Sequence, residues 1–255
     1  MKKIWFGMLA MVMVLIAGCY TVDEEIAISE NGAGTYVTKM DMSALIQMMQ
    51  SMGAEDELSK NGLDHAIDTT IYLKNLIDTS SRATSEQKRL FKDGTMKLKM
   101  NLKESILKAD VYFPFNSFAD LQSLMSGAST SGLADAFKKV FSGQDSTQPA
   151  PPQDQSLDQI NNVFDVTVTK NSIIRKLNDE KYKALMAKPE IEQAKQMMGT
   201  GLQVMYTTTI HLPRAVKKSE SPFIALSDDK KTVTIKYDLL KLFETPEKFS
   251  YSITY

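Results

Sequence analysis

The chain has 255 residues, with 30 Lys+Arg against 31 Asp+Glu and a formal net charge of −1. That balance excludes the basic surface a nucleic-acid partner needs. A hydrophobic content of 43% suffices for a real core, and a single cysteine excludes an intramolecular disulfide and a cysteine-based metal site.

The first element is a leader. Met1-Lys2-Lys3 is cationic, and residues 4–18 carry no charged side chain. This apolar run is shorter than the roughly 20 residues a spanning helix needs, and a positive start before a short apolar run reads as a secretory signal. It ends in Leu15-Ile16-Ala17-Gly18-Cys19. These residues resemble the lipobox of bacterial lipoproteins: branched Ile16, small Ala17 and Gly18 for signal-peptidase recognition, then Cys19. The resemblance implies a thioether-linked diacylglyceryl group on Cys19, cleavage before it, and often acylation (palmitate or a similar chain) of the new amino group. Two or three acyl chains anchor firmly, since each buried CH₂ contributes about 0.8 kcal/mol. Residues 1–18 are then a lipoprotein signal peptide, and their removal takes away Lys2 and Lys3 but no acid. Residues 19–25 are expected to form a lipidated tether. Its acidic cluster, Asp23-Glu24-Glu25, resembles a surface-export signal of Bacteroidota lipoproteins and reads equally as a solvated tether. No Asp directly follows Cys19, which removes one inner-membrane retention cue. The expected location is therefore the outer membrane, facing periplasm or cell surface.

Residues 26–255 are expected to form one domain. A hairpin opens it: 25–29 and 35–40 alternate around the turn Asn31-Gly32-Ala33-Gly34. Asp41 or Ser43 can cap a helix over 42–53, with Gly53 as its stop. A second helix is expected over 63–78, using Leu63, Ala66, Ile67, Ile71, Leu73, Leu76 and Ile77. Thr84-Ser85-Glu86 starts a short helix to Leu90. Met96, Leu98, Met100 and Leu102 alternate with Lys97, Lys99 and Asn101, a strand pattern. Its partner is 105–115. Helices follow at Ser117 and over about 131–141, before the Pro-rich loop 142–156, expected to be mobile. Strands are then expected at 164–169, continuing toward Ile173 past a bend at Asn171, and at 202–213, 231–237 and 249–255. Helices are expected over 178–188 and 189–198. The pattern is α+β, an antiparallel sheet of about seven strands with helices packed on one side.

The last quarter resembles the LppM-like bacterial lipoprotein domain. The resemblance is carried by Ile210-His211-Leu212-Pro213, by the stretch from Ser219 to Leu226 followed by Asp228-Asp229-Lys230-Lys231-Thr232-Val233-Thr234, and by Tyr237-Asp238-Leu239-Leu240 running into a final strand. The hairpin after Cys19 is also similar. Arg214 stands where that family often has Gly, and Ile235 where it often has Trp. The resemblance implies a curved sheet with helices and an amphiphile-binding cavity. It carries over no catalytic residue.

No sequence motif marks a reaction. His65 and His211 are the only histidines, and neither an H-E-x-x-H nor a G-x-S-x-G occurs. Asn31-Gly32-Ala33-Gly34 lacks the Lys-Ser/Thr ending of a phosphate loop. Lys230-Lys231 directly after Asp228-Asp229 argues against a cation site, and Glu55-Asp56-Glu57 reads as a solvated helix start. Met48, Met49, Met52, Met197 and Met198 read chiefly as core filler, with an adaptable groove as the alternative. No catalytic residue, cofactor or metal is expected. The leading expectation is a non-enzymatic, membrane-anchored lipoprotein that binds an envelope protein or an amphiphile. Two alternatives stay open: an envelope hydrolase with an unfamiliar active site, built on juxtaposed carboxylates or on an Asp/Ser/His arrangement including His65 or His211, and a purely structural assembly subunit.

Overall fold

The computed structural model describes residues 19–51, 53, 66–78, 83–127, 160–189, 191–192, 195–196 and 203–255. The expected signal segment 1–18, His65, Glu55-Asp56-Glu57, Met52, Met197, Met198, the helix expected over 131–141 and the loop expected over 142–156 lie outside these residues.

The opening hairpin forms as expected. β1 (Cys19–Ile28) and β2 (Gly34–Asp41) pair antiparallel, Ile28 opposite Gly34 and Thr21 opposite Asp41. The turn between them uses Gly32 at φ +86°, and the Asn31 side chain accepts from the Ala33 N–H. Gly34 is required by a close approach, because a Cβ there would lie 1.9 Å from the Ala27 carbonyl oxygen. Cys19 is the first described residue and already lies in β1, so residues 19–25, expected as a tether, belong to a strand. From Thr21 to Ala27 the strand pairs on both sides, with Val22 and Ile26 buried, and that pairing outweighs the acidic cluster's preference for water.

Asp41 accepts from the Ser43 N–H and starts α1 (Ser43–Ser51). The helix expected over 63–78 is corrected. Residues 67–72 form β3 (Ile67–Tyr72), and only α2 (Leu73–Asp78) is helical. A spacing of four, as between Ile67 and Ile71, suits one helix face and one strand face alike. The β-branched run Ile-Asp-Thr-Thr-Ile tips the choice to strand. α3 (Ser85–Phe91) opens with a capping box between Thr84 and Gln87. β4 (Thr95–Asn101) and β5 (Ile106–Phe115) form the expected pair, and Ser117 caps α4 (Phe118–Met125).

β6 (Phe164–Val168) and β7 (Ser172–Leu177) form a hairpin rather than one bent strand. Thr169 Oγ1 accepts from the N–H groups of Asn171 and Ser172 and so tightens the reversal. Asn178 caps α5 (Asp179–Met186). β8 (Gln203–His211), β9 (Lys218–Glu220), β10 (Ile224–Leu226), β11 (Thr232–Asp238) and β12 (Tyr251–Thr254) complete the strands. A helix not anticipated in the sequence, α6 (Leu239–Glu244), separates β11 from β12; Asp238 caps it by accepting from the Leu240 N–H.

The architecture is α+β, as expected, but the described strands divide between two sheets. The larger has the order β10-β11-β8-β1-β2-β5-β4-β3, and the smaller β6-β7-β12-β9. Every pairing is antiparallel except β1 with β8, which run parallel from Cys19–Gln203 to Ala27–His211. One apolar core joins the sheets: Ile26, Tyr36, Phe113, Ile210 and Ile235 of the larger meet Phe164, Val166, Ile173 and Ile253 of the smaller. Ile46 of α1 packs with Leu98, Leu107 and Ala109, the same face of the large sheet. Helices and small sheet therefore share one side of the large sheet. Its other face presents exposed Asp23, Glu25, Lys39, Lys97, Lys99 and Asp110.

Candidate functional site

Cys19, the expected lipid attachment point, lies in β1 opposite Gln203. Ile16, Ala17 and Gly18 lie outside the described residues. The three acids that follow are not one cluster. A strand alternates faces every residue, so Asp23 and Glu25 point outward and Glu24 points inward with Val22 and Ile26.

Inside, Glu24 meets a group of polar side chains. Its Oε1 accepts from the Tyr36 hydroxyl at 2.6 Å, and its Oε2 accepts from Thr208 Oγ1 at 2.8 Å. From the opposite sheet comes Arg175, 8% exposed, its guanidinium 3.8 Å from the Phe164 ring centroid and hydrogen-bonded to the Tyr237 hydroxyl. Glu24 adds electrostatic attraction to this cation. Tyr251 of β12 is buried alongside, and burial pushes its phenol well up. Burial likewise raises Tyr36, reinforced by the Glu24 carboxylate, and raises Tyr237 against the opposing pull of Arg175. These tyrosines therefore stay neutral and donate hydrogen bonds at any physiological pH. The group pins one sheet to the other by charge and hydrogen bonds. Sequence reading missed it, although a signal existed: Arg175 shares the inward parity of Ile173 and Leu177, and Glu24 that of Val22 and Ile26.

On the outer face, His211 Nε2 lies 3.4 Å from Glu25 Oε1, and its Nδ1 lies 3.2 Å from Thr232 Oγ1. The order carboxylate, imidazole, hydroxyl matches a nucleophile relay. The surroundings do not extend it. The N–H of Thr232 is held by Ser227 Oγ, that of Leu212 by the Lys231 carbonyl and that of Val216 by the Lys230 carbonyl. None of these is left to stabilise an oxyanion. His211 and Thr232 are direct cross-strand partners, and Lys39 also approaches Glu25, at 3.8 Å. A cross-strand polar contact accounts for the arrangement. His65, the other expected candidate, lies outside the described residues.

Two remaining sequence features are turns. Asn31 to Gly34 closes the hairpin. Asp229 accepts from Ser227 Oγ and the Lys231 N–H, and these bonds hold its carboxyl below the usual range. Among the described residues, no group of three or more His, Cys, Asp or Glu side chains could hold a metal ion.

A groove of about 510 Å³ opens between the end of α4, the turn before β6, and α5. Phe164, Val166 and Leu185 line it with apolar surface, and Asp165, Lys181 and Lys188 stand around them. Lys181 Nζ bonds Asp165 Oδ1 at 2.7 Å and, with the Asn178 amide, holds that carboxyl below the usual range. The size falls within the range of small-molecule sites.

No family model matches the chain, and no curated protein matches it. Among solved structures, it is similar to the folded domain of LppM from Mycobacterium tuberculosis, determined by NMR. The alignment covers 92% of this chain and 87% of that one, at 10% identity and a TM-score of 0.33. A likeness of this strength leaves function to the chain's own residues.

Proposed function

We propose that the protein is a non-enzymatic lipoprotein of the bacterial envelope, anchored through acyl chains on Cys19, whose body binds a protein partner or an amphiphile. The outer membrane is the proposed location, facing periplasm or cell surface. The observation that carries the reading is the order of residues at the amino end: a cationic Met1-Lys2-Lys3, an uncharged apolar run over 4–18, and Ile16-Ala17-Gly18 directly before Cys19, which places cleavage ahead of the described strands. Cleavage there leaves the two-sided pairing of β1 intact. The groove beside Phe164 supports the amphiphile reading, since an acyl chain fits its apolar lining and an anionic headgroup would meet Lys181 and Lys188.

Native mass spectrometry of the full-length protein extracted in mild detergent tests both parts. A diacylglyceryl mass is expected on the native chain and is lost in Cys19→Ala. A further lipid-sized adduct that weakens in Leu185→Glu would place the amphiphile in the groove. A mature chain without any acyl mass would overturn the anchor.

A further inference from the structure

If Cys19 carries the anchor, its place in the fold fixes how the body meets the membrane. Cys19 lies in the sheet, opposite Gln203 of β8, and from Thr21 onward β1 is flanked by β2 as well. A body held this way is joined to the acyl chains by only the few bonds of one side chain, so this end of the sheet stays close to the bilayer.

The register shows which elements share the anchored end. Thr21 is level with Asp41, Asp41 with Lys108, and Lys108 with Lys99. Two residues further toward Cys19, β5 begins at Ile106 and β4 ends at Asn101, joined by the 3-10 turn Leu102–Glu104. On the other side of β1, Asp238 ends β11 level with Met205, and α6 starts there. The turn is fastened in place: Gln50 of α1 donates to the Leu102 carbonyl at 2.8 Å and accepts from Ser105 Oγ at 2.7 Å. Its exposed charges, Lys103 and Glu104, offset each other, as do Lys241 and Glu244 of α6, paired at 2.9 Å. Among the described residues, the 102–104 turn and α6 therefore bring paired rather than net charge toward a headgroup layer. The opposite end of the sheet carries the hairpin turn 29–33 and the turn 227–230. Ten residues of β1 separate the two ends by ~30 Å at ~3.3 Å per residue.

We propose that the Cys19 end of the large sheet rests directly on the lipid headgroups, with the 102–104 turn and the start of α6 in contact, so that the strands stand away from the bilayer and the turns at 29–33 and 227–230 face outward. The partner of this surface is the membrane itself. The inference rests on the lipid-anchored reading above.

The test uses the full-length protein, lipidated and reconstituted in vesicles of phosphatidylethanolamine and phosphatidylglycerol that contain a headgroup-nitroxide lipid. Cys19 is the only cysteine, and its thiol is consumed by the lipid, so an introduced cysteine is labelled alone. Lys103→Cys or, separately, Glu104→Cys places a fluorophore at the anchored end, and Asp228→Cys places one at the far end. With the ends ~30 Å apart, quenching about threefold or more stronger at 103 and 104 than at 228 is expected. A flexible insert of about fifteen Gly and Ser residues between Cys19 and Tyr20, with a reach near 20 Å, is expected to abolish that difference. Equal quenching at both ends, or a difference unchanged by the insert, would overturn the orientation. Intact mass separates this outcome from failure of the anchor. Protein that carries acyl mass but shows no positional difference refutes the docking alone. Protein without acyl mass, labelled at Cys19 itself, refutes the reading beneath it.

Discussion

Glu24 and Glu25 are the same side chain at successive positions of β1, and they belong to different regions of the molecule. Glu24 faces the second sheet, accepts from Tyr36 and Thr208, and lies in the field of buried Arg175. Glu25 faces solvent, about half exposed, with Lys39 at 3.8 Å and His211 at 3.4 Å. The inner partners are already desolvated, so losing one leaves charge and hydroxyls stranded. The outer partners are wet and exchange easily for water. Number of contacts does not distinguish the two sites; access to water does.

The largest expected effect comes from breaking the inner site. Glu24→Leu should lower unfolding free energy by about 3 kcal/mol, the cost of leaving a buried cation and two hydroxyls uncompensated. Urea denaturation at neutral pH measures it, and a loss below about 1 kcal/mol would mean the pin is idle. Combining Arg175→Met with Glu24→Leu sharpens the point. The double variant should be more stable than the sum of single losses implies, by at least about 1 kcal/mol. Strict additivity would show that the two residues do not sense each other.

An intermediate case lies at α4. Asp120, nearly buried, bonds exposed Arg89 at 2.7 Å and accepts from the Asn116 N–H. Burial alone would raise its carboxyl, but Arg89 and the backbone donor outweigh burial and hold it below the usual range. The folded form thus binds its proton less readily than the unfolded chain. The stabilisation is present above the unfolded value near 3.9 and is lost as pH falls through the lower folded value. Asp120→Asn should therefore cost about 2 kcal/mol at neutral pH, with the gap to the native protein closing in acid. A gap that persists at low pH would assign the loss to packing. Smallest of all, Glu25→Gln should change stability by less than about 0.5 kcal/mol, and even that should fade in high salt.

Where period decided structure, the sequence was sufficient. Met96, Leu98 and Met100 alternate with lysines and form β4, and Thr84-Ser85-Glu86 marks the start of α3. Where two periods share a spacing, it was not: Ile67 and Ile71 suit either, and the β-branched run between them, completed by pairing with β4, settles them as strand. Division into two sheets was also hidden. Inward residues of β6 and β7 look the same whether they line a sheet's own helices or face another sheet. The 19–25 segment was misread because acids near a lipid-anchor motif look solvated, whereas β8, arriving from far along the chain, turns them into a strand. Of the Arg175 group only the inward parity of Arg175 and Glu24 was legible; their meeting with Thr208 and Tyr237 was not, because tertiary structure alone brings these residues together.

The pairing of β1 also governs the order in which the sheet can be assembled. Its bond to β2 closes across a short turn, whereas its bond to β8 joins Glu24 to Thr208, 184 residues apart. A chain that emerges amino end first can build β1, β2, β5, β4 and β3 from residues up to Phe115. One edge of β1 then stays open until residues 203–211 arrive. An unpaired edge invites wrong partners, and closing so long a loop is slow. The time spent half-built, rather than the stability of the finished fold, is where this molecule is most exposed to aggregation.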